Sequence, residues 1–140
     1  MNVYIASDHA GYELKKKLIK AFADKNLIDL GPDSDKSVDY PDYAHSLCKK
    51  VLENNAPGIL LCGSGIGMSI TANRYKGIRA ALAMTPELAK LSRQHNDSNV
   101  LVLPARFIEP ETAVEICKIW FATAFEAGRH ERRVDKIEKQ

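Results

Sequence analysis

Apolar positions along the chain switch repeatedly between two spacings. Val3-Tyr4-Ile5-Ala6 is a short run of β-prone residues, and Leu14, Leu18, Ala21 and Phe22 then recur at helical intervals. Ser7-Asp8-His9-Ala10-Gly11 lies between them, so the predicted order is strand, turn, helix. A second strand is expected over residues 27–30, closed by Gly31-Pro32-Asp33-Ser34-Asp35, the start of the longest loop. Ala44, Leu47, Cys48, Val51 and Leu52 give the i, i+3, i+4, i+7, i+8 stripe of a core-facing helix, and Pro41 suits its first turn. Gly58-Ile59-Leu60-Leu61-Cys62 is continuously apolar, as a strand buried on both faces should be. It runs straight into Gly63-Ser64-Gly65-Ile66-Gly67 and a helix expected to reach about Tyr75. A fourth strand is predicted over residues 78–83, a helix from Pro86 to about Arg93 with Thr85 as N-cap, and a fifth strand over residues 100–103. After Pro110, Ala113, Ile116, Cys117, Trp120, Phe121 and Ala124 form a last strong helical stripe.

Strand and helix thus alternate from end to end, with no linker, repeat or low-complexity stretch. This predicts an α/β fold: one domain over residues 1–140, a three-layer α/β/α sandwich with a five-stranded parallel sheet of Rossmann-like type. Residues 126–140 are strongly charged and offer only Val134 and Ile137 as apolar anchors. They form either a frayed end, the commoner case for termini, or a C-terminal helix docked on another surface such as a partner subunit.

The 140 residues are 45% hydrophobic and 27% charged, which is enough to build a full core without disulfides or a structural metal. Twenty basic and 18 acidic side chains leave a net charge of only +2, too balanced for a protein that lives on nucleic acid phosphates. Any bound anion is expected to be small. Cys48, Cys62 and Cys117 are odd in number and form no CxxC pair, against a disulfide framework or a thiolate zinc site. No apolar run approaches a bilayer span, and no basic n-region or cleavage site opens the chain, so a cytoplasmic enzyme or binding module is expected.

In an open α/β sheet the ligand sits at the carboxyl ends of the strands. Here those ends carry Ser7-Asp8-His9, Cys62 with the glycine loop, and Pro104-Ala105-Arg106; Gln94-His95-Asn96-Asp97 precedes the fifth strand, and Arg129 and Arg133 lie in the tail. Glycines at alternate positions let the backbone turn tightly and expose N–H groups at a helix N-terminus, where an oxyanion or phosphate could bind. The loop matches neither GxGxxG nor a P-loop, and Met68 stands where a Cys-x5-Arg phosphatase needs arginine. The glycines alone therefore leave a simple tight turn and an anion site equally open. Cys62, at a strand end beside a helix N-terminus, is placed to act as base or nucleophile. Cys48 and Cys117 fall on apolar stripes and read as small buried hydrophobes. Asp8, His9, His95 and Asp97 are potential metal ligands, but no HxxxH or HExxH spacing supports a site and no metal is expected. Arg129 and Arg133, four apart, would project from one helix face and could grip a phosphate together with Arg106.

Taken together, Ser7-Asp8-His9-Ala10-Gly11, Asp39-Tyr40-Pro41, Cys62-Gly63-Ser64-Gly65-Ile66-Gly67, Ala72-Asn73, Ser92-Arg93-Gln94-His95-Asn96-Asp97 and Gly128-Arg129-His130 with Arg133 resemble the type B ribose-5-phosphate isomerase family, which includes allose- and galactose-6-phosphate isomerases. The resemblance spans nearly the whole chain. It implies an aldose-ketose isomerase of the pentose phosphate pathway, working through a cis-enediolate without metal or organic cofactor. By position, Cys62 would move the proton between C2 and C1, and His95 would open the furanose ring. Gly63, Ser64, Gly65, Ile66 and Gly67 would stabilise the enediolate, with Ser64 assisting proton traffic between O1 and O2. Asp8 and Asn96 would hold sugar hydroxyls, while His9, Arg106, Arg129 and Arg133 would bind phosphate. A branch of the family looks different, with glycine at the cysteine position and a glutamate base at the position of Met68; this chain resembles the cysteine branch. Ser64 stands where many members carry threonine, which keeps the hydroxyl. The resemblance also implies a homodimer or homotetramer with active sites shared between subunits.

Three other readings remain beside it. An allose- or galactose-6-phosphate isomerase differs only in substrate. A cysteine hydrolase would use Cys62 as nucleophile and His95 as base, with Asn96 or Asp97 orienting the imidazole. A non-catalytic anion-binding module would use the glycine loop and arginines and have no need of a titrating Cys62.

Overall fold

A computed structural model describes residues 1–138. Its elements are β1 (Asn2–Ser7), α1 (Tyr12–Ala21), β2 (Asn26–Asp29), α2 (Tyr40–Asn54), β3 (Gly58–Cys62), α3 (Ile66–Ala72), β4 (Ala80–Leu82), α4 (Pro86–Gln94), β5 (Val100–Pro104), α5 (Pro110–Ala122) and α6 (Arg129–Asp135). The five strands form one parallel sheet in the order β2-β1-β3-β5-β4. β5 thus lies next to β3, and β4 is an edge strand.

The right-handed crossover preferred by parallel strands decides which face each helix covers. The chain steps one way from β1 to β2 and from β4 to β5, and the other way from β2 to β3 and from β3 to β4. Accordingly α1 and α4, joined by α5, cover one face. There Leu14, Leu18, Ala89, Ala113, Ile116, Cys117 and Trp120 pack on Val3, Ile5, Ile59, Leu61, Leu101 and Leu103. α2 and α3 cover the other, where Ala44, Leu47, Cys48, Val51, Met68 and Ala72 pack on Tyr4, Ala6, Leu60, Cys62, Val100 and Val102. Every residue of β3 and β5 is buried, as their unbroken apolar runs require.

Several expected boundaries move, each for a local reason. α3 stops at Ala72 rather than near Tyr75, because the Asn73 side chain turns to the edge strand. Its Oδ1 accepts from Ala80 N–H at 2.8 Å and its Nδ2 donates to the Ala80 carbonyl at 3.0 Å. The fourth strand shrinks to Ala80–Leu82, since Ile78 N–H closes a turn onto Tyr75 and Asn99 Oδ1 takes Arg79 N–H. β2 begins one residue earlier than expected, and α4 extends to Gln94 under the Thr85 cap, whose Oγ1 accepts from Leu88 N–H at 3.1 Å.

Lys15 falls on the core side of α1 and is fully buried. Its Nζ donates to Asp29 Oδ1 at 2.8 Å and to the Pro32 carbonyl, while Tyr12 OH donates to the Asp33 carbonyl at 3.1 Å. The loop after β2 is therefore tied to α1. The tail is helical only over Arg129–Asp135, a shorter span than the 126–140 expected, and Lys139 and Gln140 lie outside the described residues. Ala127 and Gly128 both have positive φ, and this turn separates the helix from the segment after α5. No residue of α6 is buried. No helix among the described residues is long and apolar enough to cross a membrane.

Ile116 lies at the centre of the α5 face and is fully buried. Ile116→Ala should lower the unfolding free energy by about 2–5 kcal/mol, read from urea denaturation. A loss under about 1 kcal/mol would mean that α5 is not held against the sheet as described.

Candidate active site

The turn after β1 and the turn after β3 flank the point where the sheet changes direction, the usual ligand crevice of such folds. Asp8 is buried there. Its N–H donates to the Leu61 carbonyl at 3.1 Å, and its Oδ1 accepts from Gly11 N–H at 3.1 Å, which fixes the carboxylate at the start of α1. Gly11 is required by contact, because a Cβ there would lie 2.7 Å from that of Leu61. His9 Nδ1 accepts the Val38 N–H at 3.2 Å, which leaves Nε2 as the nitrogen that carries the proton and can donate.

The glycine loop follows β3 directly. Gly65 has φ +76°, and a Cβ on it would meet Leu82 Cδ1 at 2.5 Å, so both backbone and space exclude a side chain. Ser64 Oγ accepts from Ile66 N–H at 3.2 Å, leaving its own proton free to donate elsewhere. The carbonyls of Cys62 and Gly63 accept from Ala105 N–H (2.9 Å) and Arg106 N–H (3.0 Å), stitching the loop to the end of β5. The Arg106 guanidinium lies over Gly63, where a Cβ would approach Nη1 to 3.2 Å. Tyr40 covers Gly67 in the same way. Cys62 is 5% exposed and faces the α2/α3 side, whereas Met68 is sealed in the core and cannot take part. Burial pushes the Cys48 and Cys117 thiols up to about 12, consistent with small apolar groups.

The remaining candidates lie at the other end of the sheet. α4 runs back along the strands, so His95, Asn96 and Asp97 sit at the amino edge, where Ser98 N–H bonds Ser92 O and Gly58 N–H bonds Asn99 O. The β3–β5 register from Gly58↔Val100 to Cys62↔Pro104 separates the two ends by roughly 13 Å of sheet. Asp97 is engaged by Arg93 Nη1 at 2.9 Å and Arg79 Nη2 at 3.3 Å and does not orient His95. Asn96 is exposed beside a cavity of about 790 Å³ at that edge, which Asn73 and Arg79 also line. Arg129 and Arg133 are exposed on α6.

Glu126 and His130, to which the family resemblance assigns no role, meet His95 here. Glu126 Oε1 is 3.8 Å from His95 Nε2 and 3.6 Å from His130 Nε2, and the two imidazoles stack with centroids 4.2 Å apart at 15°. Desolvation, the His95 imidazole and Arg129 hold the His130 pKa below its ordinary value, with Glu126 opposing them. A single chain thus assembles Asp8, His9, Cys62, Gly63, Ser64, Gly65, Ile66, Gly67 and Arg106 at one end, and His95, Asn96, Arg129 and Arg133 at the other. No Cys62–His95 dyad of a hydrolase exists within it, and Asp8 and His9 share no metal site with His95 and Asp97. The Glu126–His130 spacing of i, i+4 was available as a signal; the fold around Gln94 that brings His95 beside it was not.

Residues 3–137 match the model of a family described as Ribose/Galactose Isomerase. A putative sugar phosphate isomerase of Bacillus subtilis is 49% identical over 142 residues, covering 98% of this chain and 95% of its own length. The ribose-5-phosphate isomerase B of Escherichia coli is 41% identical, covering 93% and 89%. Among solved structures, a ribose 5-phosphate isomerase of Thermotoga maritima superposes with a TM-score of 0.97 at 50% identity, covering 99% of this chain and 98% of that one. Ribose-5-phosphate isomerase B of Mycoplasma genitalium, solved with bound ribulose 5-phosphate, gives 0.93 at 42% identity, covering 97% and 93%.

The three thiols differ in access. In the folded protein at pH 8, iodoacetamide should alkylate Cys62 and spare Cys48 and Cys117, as peptide mass spectrometry will read. Equal labelling of all three would contradict the burial described.

Proposed function

The chain belongs to the ribose/galactose isomerase family, and from that premise we propose that it interconverts ribose 5-phosphate and ribulose 5-phosphate through ring opening and a cis-enediolate. The observation that carries this reading is Cys62, a thiol at the end of β3 joined without a break to a glycine turn whose backbone can face a developing oxyanion. Moving a proton α to a carbonyl needs both a base and such a preorganised site.

In this mechanism the Cys62 thiolate takes the C2 proton of the open-chain aldose. The electron pair of the broken C–H bond forms the C1–C2 double bond, and O1 becomes the enediolate oxygen. The loop amides stabilise it, apart from that of Ile66, which Ser64 Oγ already engages. The free Ser64 proton suits it to relay hydrogen between O2 and O1. Cys62 then returns its proton to C1, giving the ketose. Asp8, held rigid by Gly11 N–H, binds sugar hydroxyls together with Asn96 of a second copy of the chain. His9 through Nε2 and Arg106, with Arg129 and Arg133 of that second copy, bind phosphate. No step of this scheme calls on a metal or organic cofactor.

His95 protonates the furanose ring oxygen in the preceding step, and it does so from a second copy of the chain. Support for sharing comes from distance: proton transfer needs contact of about 3 Å, while Cys62 and His95 of one chain are at opposite ends of the sheet. Apolar exposure around the β4 edge favours the same conclusion. Ile66 and Ile70 of α3 are more than half exposed, and Leu88 and Met84 nearly so, beside the glycine loop and α4. A homodimer, alone or within a tetramer, would cover this strip and bring each His95 to its partner's Cys62. The three free cysteines are in keeping with a cytoplasmic enzyme.

Conversion of ribose 5-phosphate followed in a chelating buffer should fall by roughly 10²–10⁴ in Cys62→Ala, with the fold unchanged by circular dichroism. An inactive, folded wild type would redirect the assignment to allose or galactose 6-phosphate. Co-expression of Cys62→Ala with His95→Ala, each inactive alone, should regain activity in the mixed dimer, where one site keeps both groups. Absence of recovery in a purified mixed dimer would refute the shared site.

A further inference from the structure

His95, Glu126 and His130 form a side-chain cluster that the isomerisation uses only in part. One ligand atom from each lies within 4.8 Å of the others. We propose that these three residues bind a zinc-class transition-metal ion, and that the bound ion reversibly stops isomerisation by occupying the Nε2 lone pair of His95. The inhibitory half rests on the role given to His95 above, whereas the binding half does not.

Two imidazoles and one carboxylate are a donor set that suits Zn²⁺ and leaves a coordination position open to water or an anion. Metal–ligand bonds of about 2.0–2.1 Å put neighbouring ligands of a tetrahedron roughly 3.4 Å apart. The Glu126 edges, at 3.8 Å to His95 and 3.6 Å to His130, need to close only slightly. The two imidazoles must tilt out of their stack to aim both lone pairs at one ion. The His95 side chain, 41% exposed, and the Glu126 side chain, 50% exposed, have the room to adjust. Backbone bonds hold the three ligands together beforehand. Glu126 N–H donates to the Gln94 carbonyl at 3.0 Å, and His130 N–H donates to the Ala127 carbonyl at 3.0 Å. Arg129 and Arg133 sit on the same helix and oppose a cation, which limits the affinity and suits reversible occupation.

Chelator-treated protein titrated with Zn²⁺ against a chromophoric competitor should bind one ion per chain. Co²⁺ in its place should give the visible absorption of a tetrahedral site. His130→Ala and Glu126→Gln should each weaken binding by about tenfold or more, with the fold unchanged by circular dichroism. Unchanged binding in both variants would overturn the site. With ribose 5-phosphate, Zn²⁺ should lower the wild-type rate and a chelator should restore it. His130→Ala, referred to its own metal-free rate, should resist Zn²⁺ by a factor similar to its loss of binding. Equal inhibition of wild type and variant would assign the effect to Cys62 and overturn the inhibitory half. A metal-free wild type that is inactive on sugar phosphates would count against the isomerase reading and the inhibitory half alone, since the titration decides the site independently.

Discussion

A parallel sheet has two chemically unequal ends, and the arrangement of this molecule follows from that constraint. Whatever follows a strand gathers at the carboxyl end, and whatever follows a returning helix gathers at the amino end. Position in the sequence does not predict which residues meet. Cys62 and Arg106 come together over Gly63 because both close central, adjacent strands. His95 lies between them in sequence and ends at the far edge, because it closes a helix. No side chain spans the roughly 13 Å between the ends. A reaction that uses both sets must therefore recruit a second chain, which is the basis of the shared site proposed above.

The carboxyl end is held by close approach and buried polar bonds more than by bulk. Gly11 lets the α1 turn lie on Leu61, and the Asp8 carboxylate is locked by the Gly11 N–H that this approach delivers. Gly65 lets the loop after β3 pass Leu82 and the backbone of β5. Lys15 extends the same logic to the loop after β2. A lysine sealed from water is costly unless its charge is met, and here the Asp29 carboxylate and the Pro32 carbonyl meet it. The loop thus anchored runs on to Val38, whose N–H sets the tautomer of His9. Lys15 in this way influences which nitrogen of His9, the histidine proposed to bind phosphate, can donate.

Much of this was legible in the sequence because it is governed by local periodicity. The unbroken apolar runs of β3 and β5, the stripes of α2 and α5, the Thr85 cap and the burial of Cys48 and Cys117 all follow from residues within a turn or two. Boundaries failed where a side chain bonded across the fold. Asn73 ends α3 by pairing with Ala80, and Asn99 shortens β4 by taking Arg79 N–H; neither partner is visible to a local pattern. The burial of Lys15 is not legible locally, because a charged residue on a helix stripe ordinarily reaches solvent. Tyr40 could be seen as part of a motif, but its place over Gly67 depends on how α2 meets α3. The grouping of His95 with Glu126 and His130 needed the Glu126–Gln94 backbone bond, a contact between two segments that share no periodicity.

The tail shows how association and ligand binding become one problem. A seven-residue helix is too short to be stable alone, and α6 buries no residue fully in its own chain, the His130 side chain coming closest at 12% exposed. Within the described residues it is held by few bonds: Glu126 to Gln94, Glu138 to Gly77 and the imidazole stack. A surface of a second chain laid against it would add to the free energy that orders it. If Arg129 and Arg133 grip the phosphate of a sugar bound beside a partner's Cys62, substrate and partner draw on the same ordering step. By linkage each then strengthens the other, so a charged, poorly anchored tail joins assembly to catalysis in a way that a well-buried one would not.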